Sequence, residues 1–204
     1  MATIAAVSQV GESIVAMLRA RRDLMATADQ LGPVPAAVEI SQLSLSKLTA
    51  GETPKSGLTL TCYQLATSDQ PPIRPKTPGE PPRPEIALEL HYLLASWSSK
   101  PDEEQGTLAW ALLELSAHQM FDRALLKGAD VWERDETLQV VALPVSNEQL
   151  AKLWDATGQK MRLSATLAAR ILRVRRALET DREVVVASRF GFFDTDPMEV
   201  ELAK

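Results

Sequence analysis

Two histidines and one cysteine are the side chains in this sequence best suited to metal binding or nucleophilic catalysis. His91 lies in an alternating polar and apolar run, and His118 lies near the end of a helical run. Neither belongs to a cluster of cysteines or carboxylates with the spacing of a metal site, so we predict structural or solvated histidines. Cys62 follows no nucleophile motif, which favours a buried, inert thiol. The sequence therefore predicts no metal and no cofactor.

Two pairs of adjacent carboxylates raise the question of general acid and base catalysis. Glu103-Glu104 and Asp135-Glu136 both lie in turn or helix-start contexts, where solvated acids are expected. The chain also lacks a G-x-S-x-G elbow, a phosphate-binding glycine loop and an H-E-x-x-H motif. We therefore predict that the protein is not an enzyme.

A basic segment between Lys160 and Leu178 contains six cations and no acidic residue. One interpretation is an electrostatic contact with an acidic partner surface. The other is a polar sheet face whose arginines pair with the surplus acids of a chain with net charge −5. Nucleic-acid binding is a distant third interpretation, since interleaved aromatic residues are absent, and the net charge also argues against an anionic membrane surface. The candidate contact residues here are Arg170, Arg173, Arg175 and Arg176.

A proline-rich bridge from Pro71 to Pro84 joins two strand-like runs and holds seven of the 13 prolines. Proline fixes φ and lacks an N–H, so the bridge cannot be a helix or a central strand. An extended polyproline-II arm of this length would reach roughly 40 Å. We favour contact with a neighbouring molecule over a disordered insertion. The candidate contact residues are Pro71, Pro72, Arg74, Pro75, Pro81, Pro82 and Arg83.

Three aromatic residues near the C-terminus form a second candidate contact. Phe190, Phe192 and Phe193 could pack back onto their own domain or anchor a neighbouring subunit, because buried aromatic side chains dominate interfaces. Both interpretations stay open at this point.

The elements that must position these residues follow from periodicity and capping. Apolar residues recur at helical spacing over residues 3–23, and acidic residues after Pro101 favour a second helix start. An S-x-x-Q capping box at Ser146 and a glycine at Gly158 bound a third helix. Residues 49–57 read as a loop. Alternation predicts strands over Val38–Leu45, Leu58–Leu65, Glu85–Trp97, Leu138–Val145, residues 161–172 and Glu183–Ser188.

The predicted fold class is α+β, with a mixed or antiparallel β-sheet flanked by helices. We expect one domain over residues 1–175 with the arm 71–84, and a C-terminal extension over residues 176–204. The N-terminal region lacks the pattern of a signal peptide, and no apolar run reaches the length of a membrane span. The expectation is a soluble protein, cytoplasmic at synthesis.

Several motifs, taken in order, resemble a known family. After an opening helix and a strand ending in Tyr-x-Leu, the proline-rich bridge leads into a strand, a helix, a Leu-Trp-x-x-x-Gly helix end and a further strand. This order is similar to the tail-terminator (cap) family of extracellular contractile injection systems, phage-tail-like particles of the antifeeding-prophage type. The resemblance covers roughly residues 2–173, and the motifs that carry it are Tyr63–Leu65, Ala87–Leu94, Leu108–Leu115, Leu150–Gly158 and Met161–Ser164.

The resemblance implies a structural protein without catalytic residues. It implies a homo-oligomer, a hexameric ring at the end distal to the baseplate, with the inner tube protein and the sheath protein as partners and with no nucleic acid or membrane. Such a ring would end polymerisation and hold the sheath extended. It implies assembly in the cytoplasm, with release as part of an extracellular particle left open. The sequence departs from the family over Ala165–Arg173, which is rich in alanine and arginine where a more β-branched strand is expected.

A closed ring needs two different complementary patches on each subunit. We hypothesise that the predicted strand Glu183–Ser188 is shared with the sheath or a neighbouring cap by strand addition. The alternatives are a tube-initiating or baseplate adaptor of the same machine, a stand-alone protein-binding module that uses the proline arm, and an enzyme.

Overall fold

The computed structural model describes residues 2–28, 32, 34–35, 37–69 and 85–175. The proline-rich bridge, the predicted strand Glu183–Ser188, Arg176 and the three phenylalanines lie outside the described residues, so the predictions made for them stay predictions. The described elements are α1 Ala6–Thr27, β1 Glu39–Leu43, α2 Leu45–Thr49, β2 Gly57–Thr67, β3 Glu85–Trp97, α3 Pro101–Ala117, β4 Met120–Phe121, β5 Leu138–Ala142, α4 Asn147–Thr157 and β6 Ser164–Arg175.

The strands form one mixed sheet in the order β1-β2-β3-β6-β5-β4. β1 pairs with β2 in parallel, and the other pairings between the described strands are antiparallel. β2, β3 and β6 are long strands of 11, 13 and 12 residues, and they form the centre of the sheet. The prediction of an α+β fold with a mixed sheet flanked by helices is confirmed.

Hydrophobic cores lie on both faces of the sheet. The main core joins α1 and α3 to alternate residues of β3, among them Leu88, Leu90 and Tyr92. The second core joins α2 and α4 to the intervening residues near the end of β3, and it contains Leu48, Leu93, Ala95, Trp97 and Trp154. The two faces predicted for β3 are therefore correct along most of its length, and the sheet lies between two helical layers.

Ile86 differs from the predicted face pattern, because it is 51% exposed although it alternates with Leu88 and Leu90. β2 ends at Thr67, which pairs with Leu88, so no residue of β2 flanks Ile86. Alternation predicts which face a residue occupies, but the length of the neighbouring strand decides whether that face is covered.

Local signals placed α4 correctly. Ser146 accepts a hydrogen bond from the backbone N–H of Gln149 while the Gln149 side chain accepts one from Ser146, and Gly158 has a φ of 68°. The strand predicted over Val38–Leu45 ends at Leu43. The helix α2, Leu45–Thr49 with Ser44 as its N-cap, was not predicted, and it includes Thr49, the first residue of the predicted loop. The two-residue strand β4 was not predicted, since so short a pairing leaves no periodic pattern. No helix in the described ranges is long and apolar enough to cross a membrane.

Candidate subunit-contact surface

The histidines and the cysteine are engaged inside the described chain. His91 Nε2 lies 2.9 Å from Glu89 Oε1, and its ring meets the ring of Tyr63 edge-on at 6.0 Å. His118 Nδ1 lies 2.9 Å from the Glu114 carbonyl oxygen. Cys62 is half-buried, and burial raises the pKa of its thiol, only partly offset by a backbone hydrogen bond. A thiol with a raised pKa is a weak nucleophile near neutral pH. Within the described residues no group of three or more histidine, cysteine and carboxylate side chains could hold a metal ion.

The structure brings together three of the predicted contact arginines on β6. Arg173 Nη1 lies 3.0 Å from Glu85 Oε1, and Arg175 Nη2 lies 4.0 Å from Glu85 Oε2. Arg170 Nε lies 3.5 Å from Glu89 Oε1. The glutamates belong to the adjacent strand β3, so the arginines pair within the chain, as one of the two sequence interpretations expects. Contact with a partner through these arginines stays a prediction.

A β-bulge sets the position of Arg170. Leu88 pairs with Leu172, while Leu90 pairs with Ala169, so Arg170 and Ile171 together lie opposite one residue of β3. A bulge inserts one extra residue and re-aims a side chain. The bulge at Arg170 and Ile171 lies within Ala165–Arg173, the Ala- and Arg-rich stretch that departs from the family pattern.

The other end of the same sheet face is held by two tryptophans. The rings of Trp97 and Trp154 meet edge-on at 6.2 Å. Trp97 Nε1 donates to Thr59 Oγ1 at 2.8 Å, and Trp154 Nε1 donates to Ser164 Oγ at 3.0 Å. The Arg162 guanidinium lies 5.4 Å from the centroid of the Trp97 ring. The Leu-Trp-x-x-x-Gly motif therefore fixes α4 to the sheet.

Two parts of the sheet boundary are closed by the chain itself. On β1, Arg19 Nε donates to the Ile40 carbonyl at 2.8 Å, and Arg22 Nη1 donates to the Val38 carbonyl at 2.6 Å. At the end of β6, Ala2 bridges Val174, with bonds of 3.1 Å to the backbone on either side. These contacts occupy backbone groups that a further strand would need.

Two other parts of the boundary have no partner strand among the described residues. β1 pairs with β2 only as far as Thr61, although β2 continues to Thr67. β4 pairs with β5 only at Leu138 and Gln139, and the Val140 N–H beyond them donates to a loop carbonyl. We call these stretches the β2 edge, Cys62–Thr67, and the β5 edge, Val140–Ala142. Sequence reasoning missed both edges, because a strand's neighbours are set by long-range pairing; the absence of charged residues in both stretches was the available signal.

Comparison with known proteins gives a family match and several similar solved structures. Residues 9–188 match the family model described as the Pvc16 N-terminal domain. The PVC sheath/tube terminator of an extracellular contractile injection system, in its extended state, has a TM-score of 0.56 and 17% identity, over 97% of this chain and 66% of that chain. The anti-feeding prophage cap, described as the AFP tube terminating cap, has a TM-score of 0.45 and 15% identity, over 83% of this chain and 60% of that chain. No curated protein matches the sequence.

The first of these similarities shows a shared fold, and the chain spans less than two thirds of the length of either structure. The family match extends past residue 173, where the resemblance found from the motifs ended, and includes residues 174–188. The resemblance to terminator proteins is confirmed. Because the family model matches residues 9–188, which are most of the sequence, the chain belongs to the Pvc16 N-terminal domain family.

Proposed function

We propose that this protein is a structural terminator of a phage-tail-like contractile injection system. It forms a hexameric ring on the inner tube at the end distal to the baseplate, ends polymerisation of tube and sheath, and holds the sheath extended. The family match over residues 9–188 carries the proposal, and the fold shared with a sheath/tube terminator supports it. Its partners are the inner tube protein and the sheath protein, and assembly takes place in the cytoplasm.

The chemistry of the described residues supports a structural role. Glu85 and Glu89 are neutralised by arginines of β6, and the Glu114 carboxylate, 6% exposed, is paired with Arg21. These three carboxylates are thus used to join elements of the fold.

The strands that border the segments predicted to contact partners end on one side of the sheet. β2 ends at Thr67, opposite Leu88, and the first residue of β3, Glu85, pairs with Arg175 at the end of β6. The ends of β2, β3 and β6 that lead to the proline-rich bridge and to residues 176–204 are therefore neighbours in the sheet. This placement supports a single end of the domain as the site of tube and sheath contact.

Labelled electron microscopy with purified components tests the function. The purified chain, carrying a gold label, is mixed with tubes assembled from the cognate tube protein on a baseplate. We expect label only at the end distal to the baseplate, and tubes that stop growing there. Label at the baseplate end would support an adaptor role and overturn the proposal. The absence of binding to either end would also overturn it.

Replacement of residues 71–84 by a short Gly/Ser linker tests the arm. Both hydrophobic cores join helices to the sheet through described residues, so we expect an unchanged circular dichroism spectrum and fewer capped tubes. Normal rings and normal capping would refute a role of the arm in partner contact.

A further inference from the structure

Strand register places the β2 edge and the β5 edge level with each other on opposite sides of the sheet. Leu65 of β2 pairs with Leu90 of β3. Leu90 pairs with Ala169 of β6, and Ala169 pairs with Val140 of β5. Because one row of paired residues crosses from Leu65 to Val140, a second copy displaced sideways presents its β5 edge to the β2 edge of the first.

The directions of the strands also match. β2, β3, β6 and β5 are antiparallel in succession, so β2 and β5 run in opposite directions. Two copies related by rotation about an axis along the strands would therefore bring these edges together as an antiparallel pair. Antiparallel pairing places hydrogen bonds perpendicular to the strands.

The hydrogen-bonding groups of both edges point outward at compatible positions. The Ser68 N–H donates to the Ala87 carbonyl at 2.8 Å, so even-numbered residues here bond to β3 and Leu65 and Thr67 turn their backbone groups away from it. On β5, the Leu143 N–H donates to the Thr166 carbonyl of β6 at 2.8 Å.

By the same alternation, the backbone groups of Val140 and Ala142 turn away from β6. The Val140 N–H donates to the Gln119 carbonyl at 2.8 Å, so Gln119 lies beside Val140, and Ala142 is the residue with both backbone groups directed outward.

The sheet faces are compatible as well. Leu65 pairs with Leu90, and Ala142 pairs with Leu167, and both partners belong to the main core. The outward-bonding residues of both edges therefore lie on the main-core face. Directly opposed residues of an antiparallel pair share a face, so joining the edges keeps that face continuous.

Composition distinguishes these edges from the closed ones. Neither edge contains a charged residue, and Leu65 is 54% exposed. Soluble proteins commonly protect open edges with charged residues or proline, as Arg19 and Arg22 do on β1. Pro144 ends the outward hydrogen bonding of β5 and so limits the pairing to a few residues.

We propose that the β2 edge of one copy pairs with the β5 edge of the next copy, so that the sheet continues from subunit to subunit around the ring. This inference rests on the ring assembly of the proposed function and specifies its interface. The interface is heterologous, with two different patches on each subunit, as a closed ring requires.

Disulfide trapping in the full chain tests the pairing. Ala66→Cys and Val141→Cys are combined in a Cys62→Ser background, because both positions lie between the outward-bonding residues of their edges. Residues that face each other in a non-hydrogen-bonded pair of an antiparallel ladder have Cα atoms about 4.5 Å apart, which suits a disulfide. Gln64→Cys with Val141→Cys tests the pairing shifted by two residues.

Mild oxidation of at least one double variant is expected to give a ladder of covalently linked chains. Each single variant should stay unlinked, and a mixture of the two single variants should give dimers only. Native mass spectrometry of the same samples reports the oligomer. An oligomer without covalent links from either double variant would overturn sheet continuation while leaving the terminator function in place.

Two further outcomes separate the two proposals. A chain that stays monomeric both alone and on tube ends would overturn sheet continuation, even if it caps the tubes. Linked rings that do not bind tube protein would support sheet continuation and refute the terminator function.

A charge placed at the β2 edge gives an independent measurement. Leu65→Lys should raise the dissociation constant of the oligomer about tenfold or more, because a lysine at a strand edge opposes strand addition. Leu113→Lys is the matched control, since Leu113 is 68% exposed on α3, away from the edge. Equal dissociation constants for the two variants would overturn the inference.

Discussion

Arg21→Met removes the cation that pairs with the buried carboxylate of Glu114. Arg21 Nε lies 2.7 Å from Glu114 Oε2, and the Glu114 side chain is 6% exposed. The pair joins α1 to α3 beside the main core. Methionine keeps much of the apolar stem of arginine, so the variant tests the charge rather than the packing.

The expected cost follows from burial on the two sides of the pair. Removing one partner of a fully buried ion pair costs about 3–5 kcal/mol. Arg21 is 33% exposed, so water reaches one side of the vacated carboxylate, and His118 Nδ1 lies 3.7 Å from it. We therefore expect the free energy of unfolding to fall by about 2 kcal/mol. For a chain of this size that loss lowers Tm by about 4–8 °C.

Urea unfolding followed by tryptophan fluorescence measures the loss, at one protein concentration because oligomers shift apparent stability. Glu114→Gln should cost about 1 kcal/mol, since it keeps an acceptor and removes the buried charge. The double variant should be more stable than Arg21→Met alone. The reasoning is refuted if Arg21→Met changes the free energy by less than about 0.5 kcal/mol, the range of ordinary surface substitutions.

Three other outcomes are expected. Gly57→Ala should destabilise the fold by about 2 kcal/mol, because its Cβ would collide with the carbonyl oxygen of Glu39 on the paired strand. Arg19→Met combined with Arg22→Met should increase light scattering over time, because it uncovers the carbonyl groups of the β1 edge. Burial raises the pKa of the Cys62 thiol in the folded protein, so as pH rises this thiol ionises first in the unfolded chain. The free energy of unfolding should therefore fall above the ordinary thiol pKa, and Cys62→Ala should reduce that fall.

Each of these outcomes has a control and a contradicting result. Gly158→Ala is the control for Gly57→Ala, because its added Cβ would have nothing within 4 Å. Its positive φ alone should lower the free energy of unfolding by about 1 kcal/mol. An equal loss for Gly57→Ala would contradict the collision with Glu39. Arg162→Met is the control for the β1 edge, because it removes a cation from the face of Trp97 and uncovers no strand edge. Light scattering equal to that of the double variant would contradict protection of the β1 edge by Arg19 and Arg22. An alkaline unfolding profile unchanged by Cys62→Ala would show that the thiol does not contribute.

The strands and helices that the sequence predicted well are those with local causes. The capping box at Ser146 and the glycine at Gly158 act within one turn of α4. β3 has the bounds expected from its alternation, Glu85–Trp97. Its two-sided burial from Leu93 to Trp97 needed α2 and α4 on the second face, and no local pattern encodes which helix covers a strand.

The arginines of β6 show the same limit. Their sequence run allowed either a partner contact or pairing within the chain. Only the register of β6 against β3 places Glu85 and Glu89 beside Arg170, Arg173 and Arg175. Since the pairing joins residues more than 80 positions apart, it follows from strand order and not from spacing.

By itself, the sequence determined the fold class, the main elements and the family resemblance, because periodicity, capping and turn chemistry act over a few residues. The tertiary structure alone decided which arginines pair with glutamates and which backbone edges are closed by Arg19, Arg22 and Ala2. It also decided which edges on β2 and β5 have no partner strand in the described part of the chain. Those features depend on how far each strand extends beyond its neighbour, and that length is fixed only when distant segments pair.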